Sequence, residues 1–229
     1  MDFNIAYYGV MEIFGIEIWL TETMRNMWIV MAFMLAIAVI IRIKLDTTTN
    51  KPTGLQNIIE LIVEKFDRFV RTSAGDQMAY LGHWFFTVFF LLIFSNLSGL
   101  VMRPPTADWA FTFALAIATF LLIQILGYMY QPKENFKALF APIFLFLPLN
   151  LIGEFSKPIS LSFRLFGNVL SGMILIGLVY GLAPAPARLL IPVPLHAYFD
   201  VAMGLLQALV FTVLSLSFIG LSAGTSSGD

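Results

Sequence analysis

Long apolar runs separated by short polar breaks set the pattern of this chain. Residues 27–41 are uninterrupted apolar sequence, with Trp28 near one end and Arg42 and Lys44 able to snorkel at the other. That predicts a first membrane span over 27–44, preceded by an N-terminal segment, 1–26. A polar break at 46–52 follows. Then Leu55, Ile58, Ile59, Ile62, Val63, Phe66, Phe69 and Val70 recur at helical spacing, while Glu60, Glu64, Lys65, Asp67, Arg68 and Arg71 fill the opposite face. Such a segment, 54–72, suits a helix lying in the membrane surface and cannot cross it. Residues 84–102 carry no charge and predict the next span, ended by Arg103-Pro104-Pro105. Residues 109–130 predict another, closed by Gln131-Pro132.

The remainder admits two readings. Over residues 138–182 only Glu154, Lys157 and Arg164 are charged. As one continuous helix this stretch would measure ~67 Å, over twice the hydrocarbon thickness. Pro142, Pro148 and Pro158 offer breaks. Hydropathy therefore permits two spans around a polar loop, or a lead-in segment followed by one long tilted helix from Pro158. Residues 195–223 would form a helix of ~44 Å, which also implies strong tilt. Between them, Ala183-Pro184-Ala185-Pro186 and Ile191-Pro192-Val193-Pro194 mark a stiff turn.

Composition narrows the class. The chain of 229 residues is 59% hydrophobic and 12% charged, far from a soluble domain. An all-α integral membrane protein is expected, with a lipid bilayer as its solvent. The net charge of -1 offers no grip on nucleic acid. The absence of cysteine excludes disulfides, thiolate catalysis and Cys-ligated metals. No His/Asp/Glu cluster has metal-ligand spacing and no Gly-rich loop precedes a Lys-Ser/Thr pair, so neither a metal nor a nucleotide or other cofactor is expected. The N-terminus lacks a basic region and an Ala-x-Ala site, so no removable signal peptide is expected. With the N-terminus outside and the long-helix reading, Arg42, Lys44, Lys51, Lys65, Arg68, Arg71, Lys133 and Lys137 fall inside. Only Arg25, Arg103 and Arg188 fall outside, as the positive-inside rule requires.

Candidate chemistry lies in the apolar C-terminal half. A guanidinium at a membrane-helix centre costs at least ~3 kcal/mol, so Arg164 demands a partner or a task. Lys157, Arg164, Asn168 and Ser171 fall on one helical stripe, and His196, Asp200 and Gln207 on a second. Two such stripes on adjacent helices can line a water path. Alternatively they join helices by hydrogen bonds worth ~0.6 kcal/mol each, too little to offset Arg164 or Asp200. Glu154 or Asp200 could neutralise Arg164 as a static ion pair; Glu154 and Lys157, one turn apart, could instead pair with each other. His196, beside the proline-rich turn, reads as an interfacial side chain that snorkels or caps. Gly167, Gly172, Gly177 and Gly181 thin one helix surface for close approach of a partner.

Ser156-Lys157-Pro158-Ile159-Ser160-Leu161-Ser162-Phe163-Arg164-Leu165-Phe166-Gly167-Asn168 resembles the signature of subunit a of F-type ATP synthases. The likeness extends to Pro52-Thr53-Gly54-Leu55-Gln56-Asn57, to Ser95-Asn96-Leu97-Ser98-Gly99-Leu100 and to Leu206-Gln207-Ala208-Leu209-Val210-Phe211-Thr212-Val213-Leu214. The resemblance implies five membrane helices plus one in-plane helix, the last two long and strongly tilted, and a C-terminus inside the cell. It implies a non-catalytic stator in the plasma membrane, partnered by a multi-copy c-ring, a b-subunit peripheral stalk and the catalytic F1 sector. By the same resemblance Arg164 acts on the ring carboxylates, Asn168 and Gln207 flank it, and Asp200 lies on the outward half-channel. Glu154 serves the inward one, and the coupling ion is H⁺ or Na⁺; Ser171 and His196 are ion-path candidates by their place on the two polar stripes alone. Two positions depart from the pattern: Asn150 stands where many members carry an acid, and Met173 where many bacterial members carry Glu. The rival reading is a secondary transporter or channel subunit whose Arg164 binds an anionic substrate; it predicts internal repeats, which the sequence lacks. A purely structural anchor is a third, disfavoured by the cost of Arg164 and Asp200.

Overall fold

The structure, a computed structural model, describes residues 7–13, 16–44, 54–141, 143–182 and 184–225. The polar break at 46–52, Thr53 of the second motif and Ala183 of the proline-rich turn lie outside the described residues. Five helical stretches are long and apolar enough to cross a membrane: Glu22–Lys44, Asp76–Leu100, Trp109–Tyr130, Phe144–Leu182 and Pro192–Ala223. Their outward surfaces are apolar, with Leu35, Ile43, Leu149 and Ile152 well exposed. In water such surfaces would be untenable; in lipid they are ordinary. This is an all-α integral membrane protein, with one addition at its N-terminus: strands β1 (Tyr7–Ile13) and β2 (Ile16–Thr21) pair antiparallel, Ile13 opposite Ile16.

Contacts divide the chain into two compact units. The first comprises Met1–Ile40, Phe90–Thr112 and Arg164–Ala208. Here helix α1 (Glu22–Lys44) starts on Thr21, whose Oγ1 accepts the Met24 N–H at 3.3 Å, and on Glu22 in its first turn. Buried Asn26 donates Nδ2–H to the Arg103 carbonyl at 2.8 Å, holding α1 to the turn beyond α3 (Gly82–Leu97). Phe33 and Phe94 meet edge to face, 5.5 Å between centroids.

The second unit comprises Ile41–Phe89, Phe113–Phe163 and Leu209–Asp229. It contains α2 (Leu55–Ala74), with Glu64–Arg68 and Asp67–Arg71 pairs one turn apart on its polar face at 3.0 and 2.7 Å. The Asp67 carboxylate, by hydrogen bond and charge, raises the Arg71 pKa. Gly75, at φ 91°, ends α2; a Cβ there would stand 2.7 Å from the Thr225 carbonyl, so glycine serves both the backbone and the close approach. Val70, Met78, Phe85, Ile123, Leu216 and Ile219 form the core of this unit. Lipid is as apolar as these side chains, so close packing is what favours this arrangement over lipid contact.

Two of the sequence expectations need correction. Helix α4 (Trp109–Tyr130) is followed by a short helix α5 (Pro132–Phe140), and α6 then runs unbroken from Leu147 to Leu182, 36 residues or ~54 Å. The long helix therefore does not begin at Pro158, which sits buried inside it. Proline removes the N–H that the Glu154 carbonyl would accept, yet membrane helices tolerate this where neighbours and side chains compensate. The proline-rich turn, in turn, is helical: α7 (Ala185–Leu190) and α8 (Pro192–His196) each carry proline in the first turn, where its missing N–H costs nothing. A π-helical turn, Ala197–Ala202, follows and leads into α9 (Met203–Ala223).

Candidate ion-path site

Arg164 lies on the exposed side of α6. Leu161, Ser162 and Leu165 turn inward, whereas Phe163, Arg164, Gly167 and Ser171 turn outward. A Cβ built on Gly167 would meet nothing within 4 Å. Among the described residues no acid lies within ion-pair distance of Arg164. Both candidate counter-ions are engaged elsewhere: Glu154 with Lys157 at 2.6 Å, Asp200 with His196 at 2.5 Å. The static ion pair is thus not formed, and the guanidinium is offered outward.

Within the first unit Asn168 and Gln207 meet, Asn168 Nδ2 donating to Gln207 Oε1 at 2.8 Å. Gln207 is 2% exposed and its Nε2 has no partner among the described residues. Ser171 spends its hydroxyl on the Asn168 carbonyl of its own helix, at 3.0 Å. Gly172 is not a surface glycine awaiting a partner, because a Cβ there would stand 2.9 Å from Phe199. That contact sets Met173 and Asp200 each one residue beyond touching neighbours.

His196 and Asp200 form the second cluster. His196, expected at the interface, makes a close tie along the helix: its Nδ1 lies 2.5 Å from Asp200 Oδ2, with side chains 29% and 13% exposed. Asp200 sits inside the π turn, a distortion frequent at functional sites. The wider π turn changes the angular relation between residues before and after it, so regular-helix spacing alone does not fix where Gln207 lies relative to His196 and Asp200. Gly99 approaches Asp200 directly, and buried Asn96 joins Gly204 and Thr106 nearby by hydrogen bonds; spacing assigns no role to the Asn96 motif. Its signal was an amide inside an uncharged span.

In the second unit, Glu154 and Lys157 line a cavity of about 340 Å³ with Gln124, Asn135, Asn150 and Ser222. Gln124 Nε2 donates to Glu154 Oε2 at 2.9 Å, and the Lys157 ammonium stands 5.3 Å over the Phe218 ring. Asn150 Nδ2 reaches the carbonyls of Ala138, Leu139 and Ala141 at 3.2, 3.0 and 2.9 Å, capping the end of α5.

The described site residues supply charge, hydrogen bonds and a cavity with room for water. Residues 24–220 match the family described as ATP synthase A chain. A sodium ion specific ATP synthase subunit a of Propionigenium modestum is 31% identical, covering 97% of this chain and 80% of that one. An ATP synthase subunit a 2 of a Bradyrhizobium strain is 33% identical over 90% of each chain, and the ATP synthase subunit a of Moorella thermoacetica 32% identical over 86% of this chain and 88% of its own.

Proposed function

Since the chain belongs to the ATP synthase A chain family, we propose that it is the stator of the synthase's membrane sector, lining two offset ion half-channels against a rotating c-ring. It couples H⁺ or Na⁺ flow to ATP synthesis or hydrolysis. The observation that carries this reading is Arg164, exposed on α6 and without an ion pair among the described residues. A stator residue must present its charge to another chain.

The physical task follows. Each ring carboxylate travels through lipid neutral, protonated or sodium-bound, because a bare carboxylate there is expensive. Opposite Arg164 the ionised form is favoured by Coulomb attraction, so the carboxyl releases its H⁺ or Na⁺ into one half-channel and passes as the anion. It then takes up an ion from the other. Arg164 keeps its proton throughout, which blocks direct passage between the half-channels. Each charge crossing 100 mV yields ~2.3 kcal/mol, and several per ATP supply the work. Asn168 and Gln207 steady the helices beside Arg164, His196 and Asp200 serve the outward half-channel, and Glu154 at its cavity serves the inward one.

The chain sits in the plasma membrane, N-terminus outside and C-terminus cytoplasmic, α2 lying in the membrane surface and the last two helices tilted around the ring. The b-subunit stalk fixes it to the catalytic sector. Purification through a tag on this chain should bring down a multi-copy ring of small hairpin subunits. A chain that purifies alone and transports an anion would refute the reading. Protection of that ring by sodium against carbodiimide would identify Na⁺ as the coupling ion, and lack of protection H⁺.

A further inference from the structure

We infer that Asn96 and Gly99 are positioning residues for Asp200, fixing the π turn and leaving the space in which its carboxyl meets His196. The inference rests on the reading that Asp200 serves the outward half-channel.

Asn96 is 3% exposed near the end of α3, and both ends of its amide are used. Its Nδ2–H donates to the Gly204 carbonyl at 3.1 Å, and its Oδ1 accepts the Thr106 hydroxyl at 2.7 Å. Gly204 lies two residues past the π turn, in the first turn of α9, so this bond ties the end of α3 to the helix that leaves the turn. The fit is close: a Cβ on Gly204 would stand 2.8 Å from the Asn96 Cβ, so the strap requires glycine on one side. Thr106 orients the amide so that its donor, not its acceptor, faces Gly204.

One turn on, the 3₁₀ segment Ser98–Leu100 packs on the π turn itself. A Cβ on Gly99 would stand 3.0 Å from Asp200 Oδ1 and 3.2 Å from its Cγ. Gly99 does not occupy the left-handed region, so alanine meets no backbone objection there. What alanine would do is press on the carboxyl by a few tenths of an ångström and displace it from His196. Asn96 thus sets where the π turn lies, and Gly99 sets the volume beside it. Neither group carries the ion.

Gradient-driven ATP synthesis in vesicles containing the purified complex tests this, with assembly checked on native gels. Gly99→Ala should lower synthesis at least tenfold in an assembled complex. In an Asp200→Asn background the same change should add less than a twofold loss, because the group it displaces no longer works. Thr106→Val, which adds no volume and frees the Asn96 amide, should act in the same direction with the same dependence on Asp200, and decides the matter if Gly99→Ala does not assemble. Wild-type rates in both variants overturn the inference. Equal fold-losses with and without Asp200 also overturn it, since they mark a general structural role. If Asp200→Asn alone runs at the wild-type rate, it is the assignment of Asp200 that fails, an outcome distinct from either.

Discussion

Replacing Arg164 tests the proposed mechanism at its centre. A unit charge about 4 Å from a carboxylate, at an effective dielectric near 20, favours the ionised form by about 4 kcal/mol, which is about a thousandfold in the ionisation equilibrium. Arg164 is exposed and forms no ion pair among the described residues, so no carboxylate among them offsets that field. Arg164→Ala should therefore reduce ion release from the ring by about three orders of magnitude, taking ATP synthesis below detection. Assembly should survive, because the substitution removes an insertion cost of at least ~3 kcal/mol rather than adding one. Arg164→Lys should fail as well: a desolvated ammonium can lose its proton, and the barrier between half-channels then becomes conditional. The assay is synthesis driven by an imposed gradient in reconstituted vesicles, paired with passive ion flux after the catalytic sector is stripped away. Coupled synthesis within a few-fold of wild type in Arg164→Ala would refute the reasoning.

Topology is open to single cysteines, because the chain has none of its own. A cysteine at Gln56 should label from the cytoplasmic side and one at Ala187 from outside; the reverse pattern would overturn the orientation. Asp200→Asn should cut gradient-driven ion entry severely. The Gly172–Phe199 contact sets Met173 beside the same segment, so Met173→Glu should restore part of that loss, and no restoration would refute a shared path.

The five long apolar stretches were legible because lipid leaves so few alternatives: an uncharged run of twenty residues has nowhere else to go. The pairs formed by side chains one turn apart, Glu154 with Lys157 and His196 with Asp200, were also within reach of spacing. What spacing could not give was which pair forms, since Arg164 offered an equal claim on either acid. The π turn escaped for a different reason: an extra residue in a turn leaves no mark in hydrophobic periodicity, yet it alters every angular relation beyond it. Pro158 misled because proline is read as a helix start or break, a rule calibrated on helices whose freed carbonyls water can claim. Asn96 and Gly99 lay in a motif whose chemistry is invisible until the chain brings Gly204 and Asp200 against it.

Asn150 bears on the proposed inward path, because it occupies a position where resemblance leads one to expect an acid. Here its amide donates toward three carbonyls at the end of α5. An ionised carboxylate has no proton to donate and would face those three oxygens as a fourth acceptor. An acid at 150 and the cap on α5 are therefore incompatible in this chain. Glu154, one turn further along α6, lines the same cavity as Asn150 and carries the charge that position 150 cannot. Asn150→Asp, nearly isosteric, isolates the effect. The Ala138 and Ala141 carbonyls are exposed and that of Leu139 is part-buried, so losing their donor costs about 0.5–1.5 kcal/mol, and the solubilised protein should melt a few degrees lower. Glu154→Gln leaves Lys157 without its counter-ion, so it should lower the melting temperature too, but unlike Asn150→Asp it should also slow ion exit to the inside. If instead Asn150→Asp melts as wild type and Glu154→Gln pumps as wild type, the amide is not a strap and the acid on the inward path is not Glu154.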